Sequence, residues 1–207
     1  MSSLFGADSF EASLRPLSVD VYTSALRISG SIRTRFTRVS DILNLQSGTH
    51  LTIDKATISE FADPSATLSA PQSLVTIDEI LLLIADDAPS EEASGMPSDM
   101  RIEKRPVKAQ LAIPPFRLTG TIHVPQGSRP MDGLINLQEH FMPMTDVAIG
   151  CGAYPELART VAALAIRRDR AHVMLVTDDE RPDELLAELL DERTAAAWLR
   201  TPEGGTE

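Results

Sequence analysis

The sequence has almost no cysteine and no long apolar run. Cys151 is the single cysteine in 207 residues, which excludes an intramolecular disulfide framework and favours a reducing compartment. The longest apolar run, residues 80–85, is far shorter than the roughly 20 residues that cross a bilayer. Residues 1–16 mix phenylalanine and leucine with acids, unlike a signal peptide. These absences predict a cytoplasmic protein without membrane insertion.

Positive charge is also scarce. The chain has 19 Lys and Arg against 30 Asp and Glu, a formal net charge of −11. Binding to nucleic-acid phosphates or anionic lipids requires a cationic surface. The composition therefore makes a nucleic-acid partner improbable.

Recognisable catalytic motifs are missing. The sequence has no Gly-x-Ser-x-Gly elbow, no phosphate-binding glycine-rich loop and no dinucleotide fingerprint. His50, His123, His140 and His172 lack the spacing of metal ligands. Cys151, between two glycines, is best explained as a small residue in a tight turn. We therefore predict no enzyme activity, no cofactor and no metal.

What the chain does contain is an internal repeat. Four short anchors return in the same order at offsets of 90 to 92 residues. They are 26–32 (LRISGSI) with 116–122 (FRLTGTI), 44–46 with 136–138 (NLQ in both), Ile58 with Ile149, and 82–84 (LLI) with 174–176 (MLV). The repeat predicts two units of roughly 70 residues, each too small to bury much surface alone.

Each copy opens with a segment of period-two alternation. In residues 19–36 and again in 116–124, apolar side chains hold one parity, and arginine, histidine or hydroxyl side chains hold the other. This pattern predicts a half-buried strand with a polar outer face. Gly30 and Gly120 stand at the same point of the two segments and predict a bulge or a close backbone approach.

Short helical turns and further strands follow in each copy. Ser40 and Ser128 are predicted to cap the two turns. Second strands are predicted at 50–58 and 141–149. A closing hairpin is predicted to pair 74–77 with 80–84, and another to pair 161–166 with 172–176.

The predicted fold is therefore mainly β (α+β). It is a tandem repeat of two small antiparallel β units, each with a short helical turn, followed by a C-terminal helix. The predicted segments are a flexible arm (1–18), the first repeat (19–87), a linker (88–110), the second repeat (111–179), a helix (180–200) and a tail (201–207).

Two groups of residues are candidate binding sites. The first is an arginine cluster that could converge on a carboxylate or phosphate, although the acidic composition favours pairing of these arginines with the protein's own acids. Its members are Arg27, Arg33, Arg35 and Arg38. The second is an apolar stripe at helical spacing near the C-terminus, a candidate partner-binding face. Its members are Leu185, Leu186, Leu189, Leu190 and Trp198.

At the turn residues the chain resembles a bacterial family of small β-rich domains of unknown function. The likeness rests on 38–44 (RVSDILN) in the first copy, and on 129–132 (RPMD) and 141–146 (FMPMTD) in the second. The second turn has an extra residue, and the first copy lacks the Phe-x-Pro element. The resemblance implies a β-rich fold and no activity. The arrangement is also loosely similar to Sm-like small barrels.

We expect a non-enzymatic protein-interaction, scaffold or adaptor protein, which could include self-association, because a structural pattern is duplicated without any reactive constellation. One alternative is a module that senses a small anion or nucleotide through the arginine cluster. A second alternative is an Sm-like barrel that binds nucleic acid, which the net charge opposes.

Overall fold

The computed structural model of the protein describes residues 14–36, 38–85 and 103–176. Strands make up 59% of these residues, so the predicted mainly β class is confirmed. The chain divides into two compact units, Met1–Gly95 and Met96–Glu207.

The first unit contains a five-stranded antiparallel sheet. Its elements are β1 (Arg15–Tyr22), β2 (Leu26–Thr34), helix α1 (Val39–Asn44), β3 (His50–Glu60), β4 (Thr67–Thr76), a 3₁₀ turn (Ile77–Glu79) and β5 (Leu82–Ala85). The strand order is β5-β1-β2-β3-β4.

The second unit contains a sheet of the same size. Its elements are β6 (Lys104–Ile113), β7 (Phe116–Pro125), helix α2 (Pro130–Ile135), β8 (Phe141–Cys151), β9 (Arg159–Arg167) and β10 (Val173–Val176). Two 3₁₀ turns, Pro155–Leu157 and Arg168–Arg170, precede β9 and β10. The strand order is β10-β6-β7-β8-β9, which is the order of the first unit shifted by five strands.

The first strand of each unit begins earlier than the sequence indicated. Residues 15–18, assigned to a flexible arm, belong to β1, and residues 104–110, assigned to a linker, belong to β6. Both segments carry buried side chains with period two, at 17, 19 and 21 in β1 and at 107, 109, 111 and 113 in β6. The polar and proline residues between these positions made the segments look like connectors.

The pairing of the later strands also differs from the prediction. β4 pairs with β3, and β5 pairs with β1, so 74–77 and 80–84 do not form a hairpin. In the second unit β9 pairs with β8 and β10 pairs with β6. The reason is that a 3₁₀ turn follows β4 and β9 and directs the chain to the opposite edge of the sheet.

Both sheets bend at an equivalent bulge. The β2–β3 register shifts at Gly30, and the β7–β8 register shifts at Gly120. On the facing strands, Lys55 and Asp146 each have a φ of 51°. A Cβ atom on either glycine would collide with backbone oxygens of the facing strand. The predicted close backbone approach is therefore confirmed.

The two helices lie where short helical turns were predicted, but their caps differ. Arg38 and Arg129 occupy the N-cap positions and make no side-chain capping bond. Ser40 lies inside α1, and the Ser128 hydroxyl donates instead to the Pro125 carbonyl at 2.8 Å. In the described part of the chain, no helix is long and apolar enough to span a bilayer. The helix predicted at 180–200 lies outside the described residues.

Candidate functional site

Arg27 forms an ion pair within the sheet. Its guanidinium donates from Nε and Nη2 to the two carboxylate oxygens of Asp20 on β1, at 3.2 and 2.9 Å. The Ser29 hydroxyl donates to the same carboxylate at 2.5 Å. The Asp20 side chain is only 9% exposed, so the bidentate pair holds a buried charge between β1 and β2. Arg27 thus has the internal acid that the composition favoured.

Arg33 and Arg35 line a groove of the first unit. The groove has a volume of about 510 Å³ and lies between the end of β2, helix α1 and the start of β3. Apolar side chains that line it include Ile32, Phe36, Ile42 and Leu51. The groove therefore combines an apolar floor with a cationic rim.

The charge of this groove is only weakly positive. Asp54 also lines it, so two positive charges and one negative charge leave a net charge of +1. The Gln72 side-chain amide donates to the Asp54 carboxylate at 2.9 Å. The Arg35 guanidinium lies 5.4 Å from the centre of the Phe36 ring. A small anion is the ligand that this rim could attract.

The predicted arginine cluster does not converge on one place. Arg27 and Arg33 are six residues apart on β2, which is about 20 Å along an extended strand. Neither Arg27 nor Arg38 lines the groove. Only Arg33 and Arg35 of the four predicted residues therefore share a surface that could hold a ligand.

A second arginine–aspartate pair is found at the end of β9, between a buried arginine and an exposed aspartate. Arg167 donates from Nε to Asp169 Oδ1 at 2.8 Å and from Nη2 to Oδ2 at 3.2 Å. The hydrogen bond from Arg167 is the main reason that the pKa of the Asp169 carboxyl lies below its ordinary value. This pair fixes the 3₁₀ turn that links β9 to β10.

The remaining candidate groups from the sequence are metal ligands, Cys151 and the C-terminal stripe. In that part of the chain no cluster of three His, Cys, Asp or Glu side chains could hold a metal ion. Cys151 is the last residue of β8 and is buried, so its thiol belongs to the core. The stripe predicted at 185–198 lies outside the described residues.

Strand β4 forms an exposed edge of the first unit. Its only strand neighbour among the described residues is β3. Seven of its ten residues are polar or small, none is charged, Val75 is buried, and Leu68 and Leu74 project into solvent. Pro71 has no backbone N–H, and an edge strand tolerates this because the missing N–H would face solvent. Residues 73–76 follow the proline and keep every backbone donor.

Strand β10 is the corresponding exposed edge of the second unit. It pairs with β6 and has no other strand neighbour in the part of the chain that the structure describes. Its four residues are all apolar, and Val173 and Leu175 are exposed. An uncharged, apolar strand edge is unusual, because soluble proteins protect such edges with charge, proline or coverage.

The shared register of the two units identifies the counterpart of each exposed residue. His50, the first residue of β3, pairs with Thr76, and Phe141, the first residue of β8, pairs with Arg167. Each residue of β4 therefore corresponds to the β9 residue 91 positions later in the sequence. Leu74 is 67% exposed, whereas its counterpart Ala165 is fully buried at 0%. The two residues therefore hold equivalent positions in the strand pairing and have opposite exposure.

The same contrast separates β5 from β10. Tyr22 faces Leu82, and Ala112 faces Val173, so Leu82 corresponds to Val173 and not, as the sequence alignment of the repeat had it, to Met174. Val173 and Leu175 are 42% and 41% exposed, whereas Leu82 and Ile84 are 0% and 1% exposed. Two residues of β5 are therefore buried where the residues at the same positions of β10 are exposed.

Sequence reasoning did not find these edges. It grouped residues 74–77 and 80–84 into a hairpin, which would have placed β4 inside the sheet. The available signal was the absence of charge in 67–76 and 173–176, in a chain with 24% charged residues. Exposure could not be read from that signal, since uncharged strands are also common in cores.

Comparison with known proteins identifies no relative. No family model, curated protein or solved structure matches the chain significantly.

Proposed function

We propose that the chain is a non-enzymatic protein-interaction module that binds polypeptide through the exposed edges of β4 and β10. The observation that carries this proposal is the opposite exposure of counterpart edge strands. Uncharged edges that carry apolar side chains are exposed at β4 and β10, whereas all four residues of β5 and residues 164–167 of β9, which hold the corresponding positions, are buried.

The chemistry of a strand edge supports this assignment. An edge strand offers a row of unpaired N–H and C=O groups, which bind another strand through main-chain hydrogen bonds. Apolar side chains beside the row add the energy of burial, about 25 cal/mol for each Å² removed from water. Leu74, Val173 and Leu175 supply such side chains.

Duplication of structure without duplication of reactive groups supports a non-catalytic role. The two units share their strand order, the position of the bulge and the offset of their registers. We infer that they are tandem copies of one structural element. The Asp20–Arg27 pair, in contrast, joins side chains of the first unit, and Gln110 stands at the place of Asp20 in the second.

The proposal is tested by capture with an edge variant. The tagged wild-type chain and the Leu74→Lys variant are each exposed to native cell lysate, and companion proteins are quantified. A charged side chain at this edge should remove a stoichiometric companion. Ile135→Lys is the matched control, since Ile135 is 68% exposed but lies at the end of α2.

The outcome of the control decides what a loss means. Companions that survive Leu74→Lys and the equivalent β10 variant Leu175→Lys would contradict the assignment of the edges. A companion lost equally with Ile135→Lys would show that added charge, and not the edge, is responsible.

The arginine-lined groove favours a second candidate, the binding of a small anion. Arg33 and Arg35 flank an apolar pocket, as in sites that hold a phosphate group beside a hydrophobic moiety. Thermal shift with nucleotides and inorganic phosphate tests this function. Stabilisation of the wild type and of Lys104→Ala, but not of Arg33→Ala, would support it. Absence of any shift would remove it.

A further inference from the structure

We propose that the partner of these edges is a second copy of the same chain, joined head to tail. Residues 73–76 of β4 in one copy would pair with β10 of the next copy. This inference rests on the proposed function and specifies its partner and geometry.

The argument begins with the number of edges. Each five-stranded sheet has two edge strands of different kinds. The first kind, β4 or β9, pairs with β3 or β8, and the second kind, β5 or β10, pairs with β1 or β6. All four residues of β5 and residues 164–167 of β9 are buried, whereas β4 and β10 carry exposed apolar side chains. The exposed edges therefore differ in kind, as the two sides of a head-to-tail contact must.

The two segments that would pair, β10 and residues 73–76 of β4, are both four residues long. All four residues of β5 are buried, and the buried part of β9 is also four residues long, 164–167. The counterparts of these residues are β10 and residues 73–76 of β4. The part of β4 that is predicted to pair thus begins two residues after Pro71 and contains no proline.

The charges also permit two copies to meet. The chain carries a formal net charge of −11, so most of its surface would repel a second copy. Residues 73–76 (SLVT) and β10 (VMLV) contain no charged side chain. Pairing them would bury Leu74 and Val173 without placing like charges opposite one another.

A contact between two different edges has a testable consequence. After one copy binds another, each end of the pair still carries one open edge, so further copies can add until a ring closes or a filament grows. A self-complementary contact through β4 alone or β10 alone would stop at a dimer.

The experiment blocks one edge at a time and then mixes the variants. Leu74→Lys blocks β4, and Leu175→Lys blocks β10. Mass is measured by sedimentation velocity over a range of protein concentrations. The wild type and the Ile135→Lys control should form species larger than dimers. Each edge variant alone should remain monomeric, with its dissociation constant raised about tenfold or more.

An equimolar mixture of the two variants gives the decisive result. Leu74→Lys retains β10 and Leu175→Lys retains β4, so the mixture should form a dimer with one copy of each and stop there. No dimer in the mixture, or assembly of either variant alone beyond a monomer, would overturn the head-to-tail pairing. Far-UV circular dichroism checks the fold, and Thr76→Lys with Val173→Lys repeats the test at neighbouring exposed positions.

Failure of this inference is distinguishable from failure of the proposed function. A wild-type chain that stays monomeric at all concentrations overturns self-assembly. If that chain still loses a companion protein through Leu74→Lys, the edges bind another polypeptide and the proposed function stands.

Discussion

Replacing Gly30 by alanine should destabilise the first unit because of the close approach of β3 at the bulge. A Cβ atom at this position would lie 2.5 Å from Cγ2 of Ile53 and 2.8 Å from the carbonyl oxygen of Asp54. Ile53 is fully buried, and Asp54 contributes backbone to the paired strand, so neither atom can move freely. The bulge must open for the methyl group to fit.

The cost follows from measured cases of overpacking. Inserting a methyl group into a close-packed site costs about 1–3 kcal/mol, and a contact below van der Waals distance with backbone favours the upper half of that range. For a chain of this length, 2–3 kcal/mol corresponds to a fall in Tm of about 4–12 °C. Gly120→Ala should cost less, because no atom would lie closer than 2.9 Å to its Cβ, whereas Cγ2 of Ile53 would lie 2.5 Å from the Cβ at position 30.

Urea and thermal unfolding, followed by far-UV circular dichroism, measure these effects. Gly48→Ala is the matched control, since the nearest atom to its Cβ would be 3.9 Å away. We expect this control within about 0.5 kcal/mol of the wild type. If Gly30→Ala is as stable as Gly48→Ala, the close approach at the bulge is not what requires glycine.

Two further predictions concern the Arg27–Asp20 and Arg167–Asp169 ion pairs. Asp20→Asn should lower the free energy of unfolding by about 1–3 kcal/mol, because it weakens the charge-assisted bonds from Arg27 and Ser29. Denaturant unfolding measures this against Asp54→Asn, a half-buried control whose carboxylate accepts only from the neutral Gln72 amide among the bonds described. The pKa of Asp169 is lowered by Arg167, so the ion pair contributes its full stability above the ordinary carboxyl pKa and loses it as pH falls through the lowered value. Acid titration of the unfolding midpoint should therefore be less steep for Asp169→Asn than for the wild type, and equal slopes would contradict this.

Much of the fold could be predicted because the strands and the bulge follow from local sequence patterns. Alternation over residues 116–124 indicated β7, and the segments 50–58 and 141–149 match β3 and β8 closely. Alternation over 19–36 indicated one strand, but this segment contains the end of β1, a turn and β2. The two glycines indicated the bulge, since only a residue without a Cβ permits that approach. These features depend on neighbouring residues or on one facing strand.

Strand pairing could not be predicted because it is not local. β5 pairs with β1 about 60 residues earlier, and nothing in residues 80–85 specifies that partner rather than β4. The buried Arg27–Asp20 pair depends on the β1–β2 register, which the sequence interpretation lacked since it assigned residues 15–18 to an arm. The groove around Arg33 likewise depends on where α1 packs.

Hydrogen–deuterium exchange at low and high protein concentration tests most directly whether the edge strands are the interaction surface. Backbone amides of unpaired edges exchange rapidly, and pairing with a second copy protects them. The account predicts that protection rises with concentration in both 73–76 and 173–176, while residues 45–48 stay unchanged. Self-association that leaves both edges unprotected, or that protects a different surface, would contradict it.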